Sequence, residues 1–307
     1  MALTFTQVAT LWKEEKRKYV KAASYAVYLQ LCNHYILPEF KDAELSAESI
    51  QTFADGLIDR GFALKTVKDT MLVLKMIIRH GERLKAWPHV EYSVRYPTKL
   101  GEARRLATLT IQQQRRLGAH LRENFSFRNI GLLVCLQSGI RISEVCGLQW
   151  RDLDLADGVI RVRKTVQRIY LADGDYKRYF LSIDTPKTPA SLRDIPMSGE
   201  LKALIRPLKR LMPPENYVLS NARGPMEPSS FRAYYYRLLK ELGIPRTRFH
   251  ALRHSFATRC IESRCDYKAV SAILGHSSIS TTLDLYVHPG YNEKKRVVDQ
   301  LSRVLAR

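Results

Sequence analysis

The sequence predicts a mainly α-helical protein with a small antiparallel β-sheet, divided into a helical N-terminal domain and a larger α+β domain. Three observations support this class. The chain has 307 residues, which is long enough for two separate cores. Apolar residues recur at helical spacing in both halves of the sequence. Between residues 158 and 167, Val and Ile alternate with Arg and Lys, which is typical of a strand.

The first third of the chain contains helical patterns and no strand pattern. Thr4 and Gln7 fit a capping box that begins the first helix. We expect the second helix to end before Pro38, the third at Gly61 and the fourth at Gly81. The four predicted helices cover residues 4–18, 22–35, 46–60 and 66–81. These segments predict a compact helical domain over residues 1–97, with a linker at 97–101.

The remaining residues predict helices around a small sheet, in a domain that spans residues 105–307. The predicted helices cover residues 110–123, 129–137, 198–211, 229–242 and 293–305. The predicted strands cover residues 158–167, 179–183, 192–195 and 217–220. A charged amphipathic helix at the end of the chain is expected either to cover its own domain or to dock on a neighbour.

The charge balance points to a polyanionic partner. The formal net charge is +20, and residues 101–307 contribute 35 Lys and Arg against 19 Asp and Glu. Residues 1–100 contribute 15 against 11, so the phosphate contacts are expected mainly in the second domain. A solubilising surface is the simpler interpretation. An anionic membrane surface is disfavoured because no helix pairs a polybasic face with an aromatic stripe.

The cysteine pattern and the N-terminus predict a cytoplasmic protein. The five cysteines form neither a CxxC pair nor a Cys/His metal spacing. The N-terminal residues contain no apolar stretch of signal-peptide length, and no run approaches the length of a membrane span.

The candidate chemistry lies mainly between residues 249 and 288. His250 and Arg253 are three residues apart and share a helix face. His276 follows a glycine that can end a helix, and Tyr286 comes ten residues later. Such a set can hold a phosphodiester with its cationic and imidazole groups and attack it with the tyrosine.

Two upstream stretches add candidates. Taken alone, each stretch is better explained by an ordinary surface residue than by a functional one. Arg141 lies at a helix start with Glu144 three residues on, which suits either a phosphate contact or a surface ion pair. Lys187 lies at a proline-flanked hairpin tip, where a lysine is usually only solvated. His254 is expected to be a buried histidine satisfied by the backbone. Three further residues remain as alternatives. Tyr291 could take the place of Tyr286, and Lys164 or Lys177 could take the place of Lys187.

Together these stretches resemble the tyrosine recombinase (phage integrase) family. The resemblance lies in Arg141 of GIRISEVCGLQWRDLDL, Lys187 of TPKT, and four residues of FHALRH and LGHSSISTTLDLYVH. It covers about residues 105–290 and implies a catalytic domain of that family. The first 97 residues resemble its helical, SAM-like core-binding domain in length, helix content and position, which implies one side of a DNA clamp. Because the helical unit begins almost at Met1, we expect the short form that lacks an arm-binding domain.

The resemblance implies a role for each site residue. Arg141 and Arg253 would bind the scissile phosphate, His276 would donate a hydrogen bond to it, and Glu144 would orient Arg141. Tyr286 would attack the phosphorus and form a 3′-phosphotyrosine.

The same resemblance assigns the proton transfers. Lys187 would protonate the leaving 5′-oxygen, and His250 would help to remove the proton of Tyr286. The covalent link conserves the phosphodiester energy, so neither a cofactor nor a metal ion is implied.

The resemblance implies a site-specific recombinase that acts on duplex DNA as a homotetramer through a Holliday junction. Integration and excision of a mobile element is the preferred role, and an accessory DNA-bending or directionality protein is a possible partner. The alternatives are a Xer-like dimer resolvase, a DNA invertase, a type IB topoisomerase-like relaxing enzyme and a catalytically silent DNA-binding regulator. The last is disfavoured because a silent protein has no reason to keep the complete residue set.

Overall fold

The computed structural model describes residues 3–41, 45–97, 107–173, 176–186, 188–287 and 291–305. It confirms the predicted class, because the described chain is mainly helical and its few strands pair in small sheets. The chain forms two compact units. The first contains residues 1–103 and 168–182, and the second contains residues 104–167 and 183–307.

The first unit is a helical bundle around an aromatic and aliphatic core. Its N-terminal capping box is present, since the Thr4 hydroxyl accepts from the Gln7 amide at 3.3 Å and the Gln7 side chain accepts from the Thr4 amide at 2.9 Å. Trp12, Phe40 and Leu74 are among its fully buried side chains. The helices are α1 (Phe5–Tyr19), α2 (Ala22–Leu31), α3 (Leu37–Phe40), α4 (Ala47–Asp59) and α5 (Leu64–Arg83).

Two predicted helix ends in this unit were wrong. The second helix does not stop before Pro38; a π-helical turn, Cys32–Ile36, continues it into α3. Proline lacks an amide donor and is tolerated in the first turn of a helix, and Pro38 lies in the first turn of α3. Gly81 lies inside α5, where any side chain would overlap the Trp87 ring. The glycine is therefore a close-packing position.

The second unit packs helices around a three-stranded sheet. Its helices are α6 (Ile111–Glu123), α7 (Phe127–Ser138), α8 (Ile142–Val145), α9 (Gly199–Leu211), α10 (Pro228–Glu241), α11 (His250–Glu262), α12 (Tyr267–Leu274), α13 (Ile279–Tyr286) and α14 (Tyr291–Leu305). The strands are β1 (Leu153–Asp154), β2 (Val159–Val162), β3 (Thr165–Asp173), β4 (Tyr176–Asp184) and β5 (Arg193–Pro196). The antiparallel sheet has the order β1-β2-β5, with Ile160 opposite Ile195.

The strand boundaries differ from the sequence prediction in two places. The predicted strand at 158–167 is divided between β2 and β3, and β3 pairs with β4 in a separate two-stranded sheet. The outer part of this hairpin, residues 168–182, clusters with the first unit. Residues 217–220 do not form a strand; Tyr217 makes a single bridge to Gln149.

The core of the second unit holds α7 and α11 against each other. Trp150, Phe231 and Tyr235 are fully buried within it. Gly139 ends α7 and Gly275 ends α12, both in the left-handed region, with φ of +63° and +68°. Among the described residues, no helix is both long and apolar enough to cross a membrane.

Gly131 allows α7 to approach its neighbours, and we expect Gly131→Ala to destabilise the protein by about 1–3 kcal/mol. An added Cβ would overlap Leu219 and lie 3.3 Å from the Phe231 ring. Gly56→Ala is the matched control, because a Cβ on Gly56 in α4 would meet nothing within 4 Å. The free energy of unfolding of that variant should rise by about 0.5–1 kcal/mol, because alanine is a better helix former than glycine. Urea unfolding measures both, and equal stabilisation by the two alanines would contradict the packing argument.

Candidate active site

One turn of α11 carries three of the side chains that form the site. His250 is its first residue, and Arg253 and His254 follow at the positions that a helix places on the same side. The helix packs against α7, α12 and α13. The side chains of this turn therefore lie beside the left-handed end of α7 and beside the segments that carry His276 and Tyr286.

Arg253 is a buried arginine with an unused donor. Its side chain is 2% exposed, and Nη1 donates to the Gly139 carbonyl at 2.9 Å. Nη2 is buried and has no acceptor among the residues that the structure describes. Burial and the charge of Arg141 lower the pKa of Arg253 to about 9, so it remains a cation at neutral pH. A buried cation with a free donor is a site for an anion.

Arg141 is held by a carboxylate in the way the sequence predicted. It is the N-cap of α8, where its amide donates to Glu144 Oε2 at 2.9 Å and its Nη1 to Oε1 at 2.7 Å. Its Nη2 donates to the Gly275 carbonyl at 3.2 Å. Its side chain remains 31% exposed, so the guanidinium has its fork fixed while one side stays accessible.

Arg193 is the residue that the sequence analysis missed. Its Nη1 and Nη2 each lie 3.0 Å from one oxygen of Glu144, whose side chain is 1% exposed. Burial alone would raise the pKa of Glu144, but the hydrogen bonds and charges of Arg193 and then Arg141 hold it below its ordinary value. Arg193 Nε also donates to the Ile273 carbonyl at 2.5 Å. One carboxylate thus joins α8, β5 and the end of α12.

The strand pattern contained a signal for Arg193. It is an inward position of β5, two residues before the buried Ile195. A basic residue on the buried face of a strand requires a carboxylate partner, because a lone buried charge is too costly. Glu144 was already a candidate, so the need of Arg193 for a carboxylate could have pointed to this pair.

His276 follows the left-handed Gly275 and faces the two arginines. Its Nδ1 lies 2.8 Å from the Thr282 hydroxyl. Burial, followed by the charges of Arg253 and Arg141, lowers its pKa to about 4. The ring is therefore neutral at physiological pH, and when Thr282 donates to Nδ1 the ring proton lies on Nε2.

Tyr286 is the last residue of α13 and is 8% exposed. Its ring packs against Ala257, Val270 and Leu274, and its hydroxyl lies 2.8 Å from His254 Nδ1. Burial raises the pKa of Tyr286, against the lowering effects of Arg253 and then Arg141. The prediction that His254 is satisfied by the backbone is wrong, because its ring nitrogen contacts this hydroxyl instead.

The other candidates lie at or beyond the edge of this cluster. His250 is exposed, and its ring centroid lies 4.6 Å from that of His254 at 86°. Desolvation, followed by the charges of His254 and Arg253, lowers its pKa to about 4. Tyr291 is 79% exposed on α14, and Lys164 donates to Gln149. Lys187 lies outside the described residues, and Lys177 belongs to the hairpin segment that clusters with the first unit.

The arrangement suits a singly charged oxyanion next to a hydroxyl nucleophile. Arg141 and Arg193 both bind the Glu144 carboxylate, and Arg253 adds a third guanidinium that feels its charge without contacting it, so the cluster has an excess of positive charge. Beside it lie the hydroxyl of Tyr286 and the neutral imidazoles of His250, His254 and His276. Within the described ranges, no group of three or more His, Cys, Asp and Glu side chains could hold a metal ion.

Comparison with known proteins gives matches over both units. The sequence model of the phage integrase family matches residues 108–293, and that of the phage integrase N-terminal SAM-like domain matches residues 4–57. A tyrosine recombinase XerC-like protein of Caldanaerobacter subterraneus subsp. tengcongensis is 28% identical over 186 residues, 55% of this chain and 48% of that protein. The match therefore spans about half the length of that relative.

Two further comparisons extend over nearly the whole chain. The ICEBs1 integrase of Bacillus subtilis is 23% identical over 314 residues, which cover 95% of this chain and 79% of that protein. A solved structure of the Tn1549 transposon integrase, in complex with transposon right end DNA, superposes with a TM-score of 0.75 at 21% identity. It covers 98% of this chain and 100% of that one, so the two share a fold.

Removal of Arg193 should leave the buried Glu144 carboxylate with Arg141 as its remaining charged partner. We expect Arg193→Met to cost about 3–5 kcal/mol in the free energy of unfolding. Adding Glu144→Gln should recover part of that loss, since the double variant no longer buries a carboxylate that has lost one of its two arginines. Denaturant unfolding of the single and double variants measures this coupling.

The neighbouring Asp194→Asn is the control for that experiment. Asp194 pairs with Arg163 at the surface, where both side chains are more than 40% exposed. Its loss should cost no more than about 1 kcal/mol. If Asp194→Asn and Arg193→Met were equally mild, the Glu144 pair would not be a structural centre of the site.

The histidines should make the protein less stable as the pH falls from 7 to 5. The folded-state pKa of His276 is about 4, whereas an unfolded histidine titrates near 6.5, so between these values the unfolded state binds more protons. Stability therefore rises with pH in this window. His276→Gln should reduce the loss between pH 7 and 5 by about 1 kcal/mol. Identical pH profiles of unfolding for the variant and the parent would refute the lowered pKa.

Proposed function

Because the chain belongs to the phage integrase family, whose model covers residues 108–293, we propose that it is a tyrosine-type site-specific DNA recombinase. In this proposal it cleaves and rejoins duplex DNA through a covalent 3′-phosphotyrosine. One observation carries the proposal: the Nη2 donor of buried Arg253, which has no acceptor within the described ranges, lies in the same cluster as Arg141 and the Tyr286 hydroxyl. Residues 1–97 would serve as the core-binding domain and residues 105–307 as the catalytic domain.

The scissile phosphate would bind between the two arginines. Arg253 Nη2 and the accessible side of Arg141 would donate to its non-bridging oxygens, and His276 would donate through Nε2. In the transition state these oxygens gain negative charge, so donors fixed beforehand lower the barrier. Glu144 and Arg193 keep Arg141 fixed, since the carboxylate is bound by both arginines.

Cleavage exchanges one phosphodiester for another. The Tyr286 oxygen forms a bond to phosphorus, the bond from phosphorus to the 5′-oxygen breaks, and the phenolic proton passes to a neutral imidazole. The sequence resemblance gave the role of proton acceptor to His250. The pKa of His254 is lowered as well, by burial and then by the charge of Arg253. Lys187 would protonate the 5′-oxygen. Resealing reverses each transfer with the 5′-hydroxyl of the partner strand as the nucleophile.

The stoichiometry of strand exchange requires several copies of the chain. Recombination of two duplexes cuts four strands, and each chain supplies one Tyr286. Four protomers, exchanging two strands at a time through a Holliday junction, would therefore form the active assembly. An accessory DNA-bending or directionality protein would set the direction of the reaction.

A role in integration and excision of a mobile element is favoured by the similarity to the ICEBs1 integrase over 95% of the chain. The similarity to a XerC-like recombinase over 55% of the chain supports dimer resolution as the alternative. A DNA invertase or a silent DNA-binding regulator would use the same fold. The regulator is disfavoured because a silent protein would not need a buried nucleophile beside an anion site. We further propose a cytoplasmic location, where the five free cysteines would stay reduced.

The test of this function is covalent capture of DNA by Tyr286. The probe is a set of nicked duplexes that tile the DNA on both sides of the gene, because a nick beside the cleaved bond releases a short fragment and traps the adduct. We expect one or a few duplexes to form a covalent complex whose tryptic peptide contains Tyr286. Tyr286→Phe should lose the adduct at least about 10³-fold while DNA affinity is unchanged.

Tyr291→Phe is the matched control, because Tyr291 is exposed five residues further on. It should form the adduct at the wild-type rate. An adduct that persists in Tyr286→Phe would refute the assignment of the nucleophile. No adduct from any duplex, despite tight binding, would favour the silent regulator.

A further inference from the structure

The hydroxyl of Tyr286 has a specific partner that is not the histidine assigned from the sequence. Its hydrogen bond goes to His254 Nδ1 at 2.8 Å, within the normal range for a direct contact. The two rings have centroids 5.7 Å apart and an interplanar angle of 53°. His250 lies behind this pair, with its ring meeting the His254 ring edge-on at 4.6 Å.

The contact is held from both sides. The Tyr286 ring is anchored in a small apolar cluster with Ala257, Val270 and Leu274, so its hydroxyl has little freedom. On α11, His254 directly follows Arg253. The side chain of Arg253 is fixed by its hydrogen bond to the Gly139 carbonyl. The phosphate-binding arginine and the partner of the nucleophile therefore move as one rigid element.

The surroundings of the pair keep both partners in their uncharged forms. The titratable groups that surround it are His250 and Arg253 of α11, His276 after α12, and Arg141 at the start of α8. Burial and then Arg253 lower the pKa of His254, which leaves its ring neutral, and burial raises that of Tyr286. A protonated phenol next to a neutral ring can donate to Nδ1, and in that tautomer the ring proton lies on Nε2.

We propose that His254, and not His250, takes the proton of Tyr286 when the phenol attacks the phosphate, and returns it on resealing. This rests on the proposed recombinase function. As the bond from Tyr286 to phosphorus forms, the phenolic proton moves to His254 Nδ1. The leaving 5′-oxygen takes a different proton, from Lys187. In the resealing step the imidazolium of His254 protonates the departing Tyr286 oxygen.

Binding of DNA makes this transfer feasible. In the free protein burial, and then the charge of Arg253, lower the pKa of His254 and disfavour its imidazolium, so His254 is a weak base. A bound phosphate supplies a negative charge that offsets Arg141 and Arg253, which raises the tendency of His254 to accept a proton. The proton acceptor is thereby activated when the substrate is present, and the phenol stays protonated in its absence.

The test compares His254→Gln with His250→Gln in single-turnover adduct formation on a nicked duplex that the wild-type protein captures. Glutamine can still contact the Tyr286 hydroxyl but cannot accept a proton. We expect His254→Gln to slow the reaction about 10²- to 10⁴-fold near neutral pH. Its rate should rise further with pH, as hydroxide replaces the missing base. His250→Gln, one turn earlier on the same helix, should lose less and keep the wild-type pH profile.

A second measurement separates proton transfer from simple positioning. Replacement of Tyr286 by a fluorinated tyrosine, which has a lower pKa, should restore much of the rate of His254→Gln, because less help is needed to remove the proton. Equal DNA affinity of all variants shows that they are folded. A wild-type rate in His254→Gln, a pH-independent loss without rescue, or the base signature in His250→Gln instead would each overturn the proposal. The recombinase function itself fails only if wild-type protein forms no adduct, or if the adduct survives in Tyr286→Phe.

Discussion

The arrangement of the active site depends on one buried carboxylate. Glu144 is 1% exposed and is contacted by Arg193 from β5 and Arg141 from the start of α8. A buried charge of this kind is tolerated only with well-placed partners, so the three side chains fix one another. Arg193 and Arg141 also donate to the carbonyls of Ile273 and Gly275, which ties the end of α12 to the same three side chains.

The turn at the end of α12 leads the chain to His276 and then to α13, which carries Tyr286. Gly275 has a left-handed φ of +68°, and a Cβ there would lie 3.0 Å from both the Ala190 carbonyl oxygen and the Arg193 side chain. The close approach lets the chain turn, so that His276 faces the arginines. The next helix, α13, then returns Tyr286 to α11. In the proposed reaction, the ion pairs would thus orient the phosphate-binding groups and also bring the nucleophile to its proton acceptor.

In the proposed reaction, the same cluster would keep Tyr286 unreactive until DNA is bound. Burial stabilises the protonated phenol, and burial together with the surrounding cations lowers the pKa of the neighbouring imidazole of His276 and keeps it neutral. The cluster has an excess of positive charge, and Arg253 has a donor without an acceptor in the described part of the chain, so the cluster suits an anion. A phosphate would satisfy the donor and change the proton affinity of the imidazoles in the same step.

The sequence by itself determined the fold class, the capped start of the first helix and the candidate list, because a capping box, hydrophobic spacing and motif order are local properties. It failed at Pro38 and Gly81, where a π-helical turn and close packing against Trp87 overrule the usual effect of proline and glycine. Only the tertiary structure decided the partners. Arg193 lies 49 residues from Glu144, and Tyr286 lies 32 residues from His254. Such contacts arise from the packing of α11, α12, α13 and β5, and no local spacing records which histidine meets the hydroxyl.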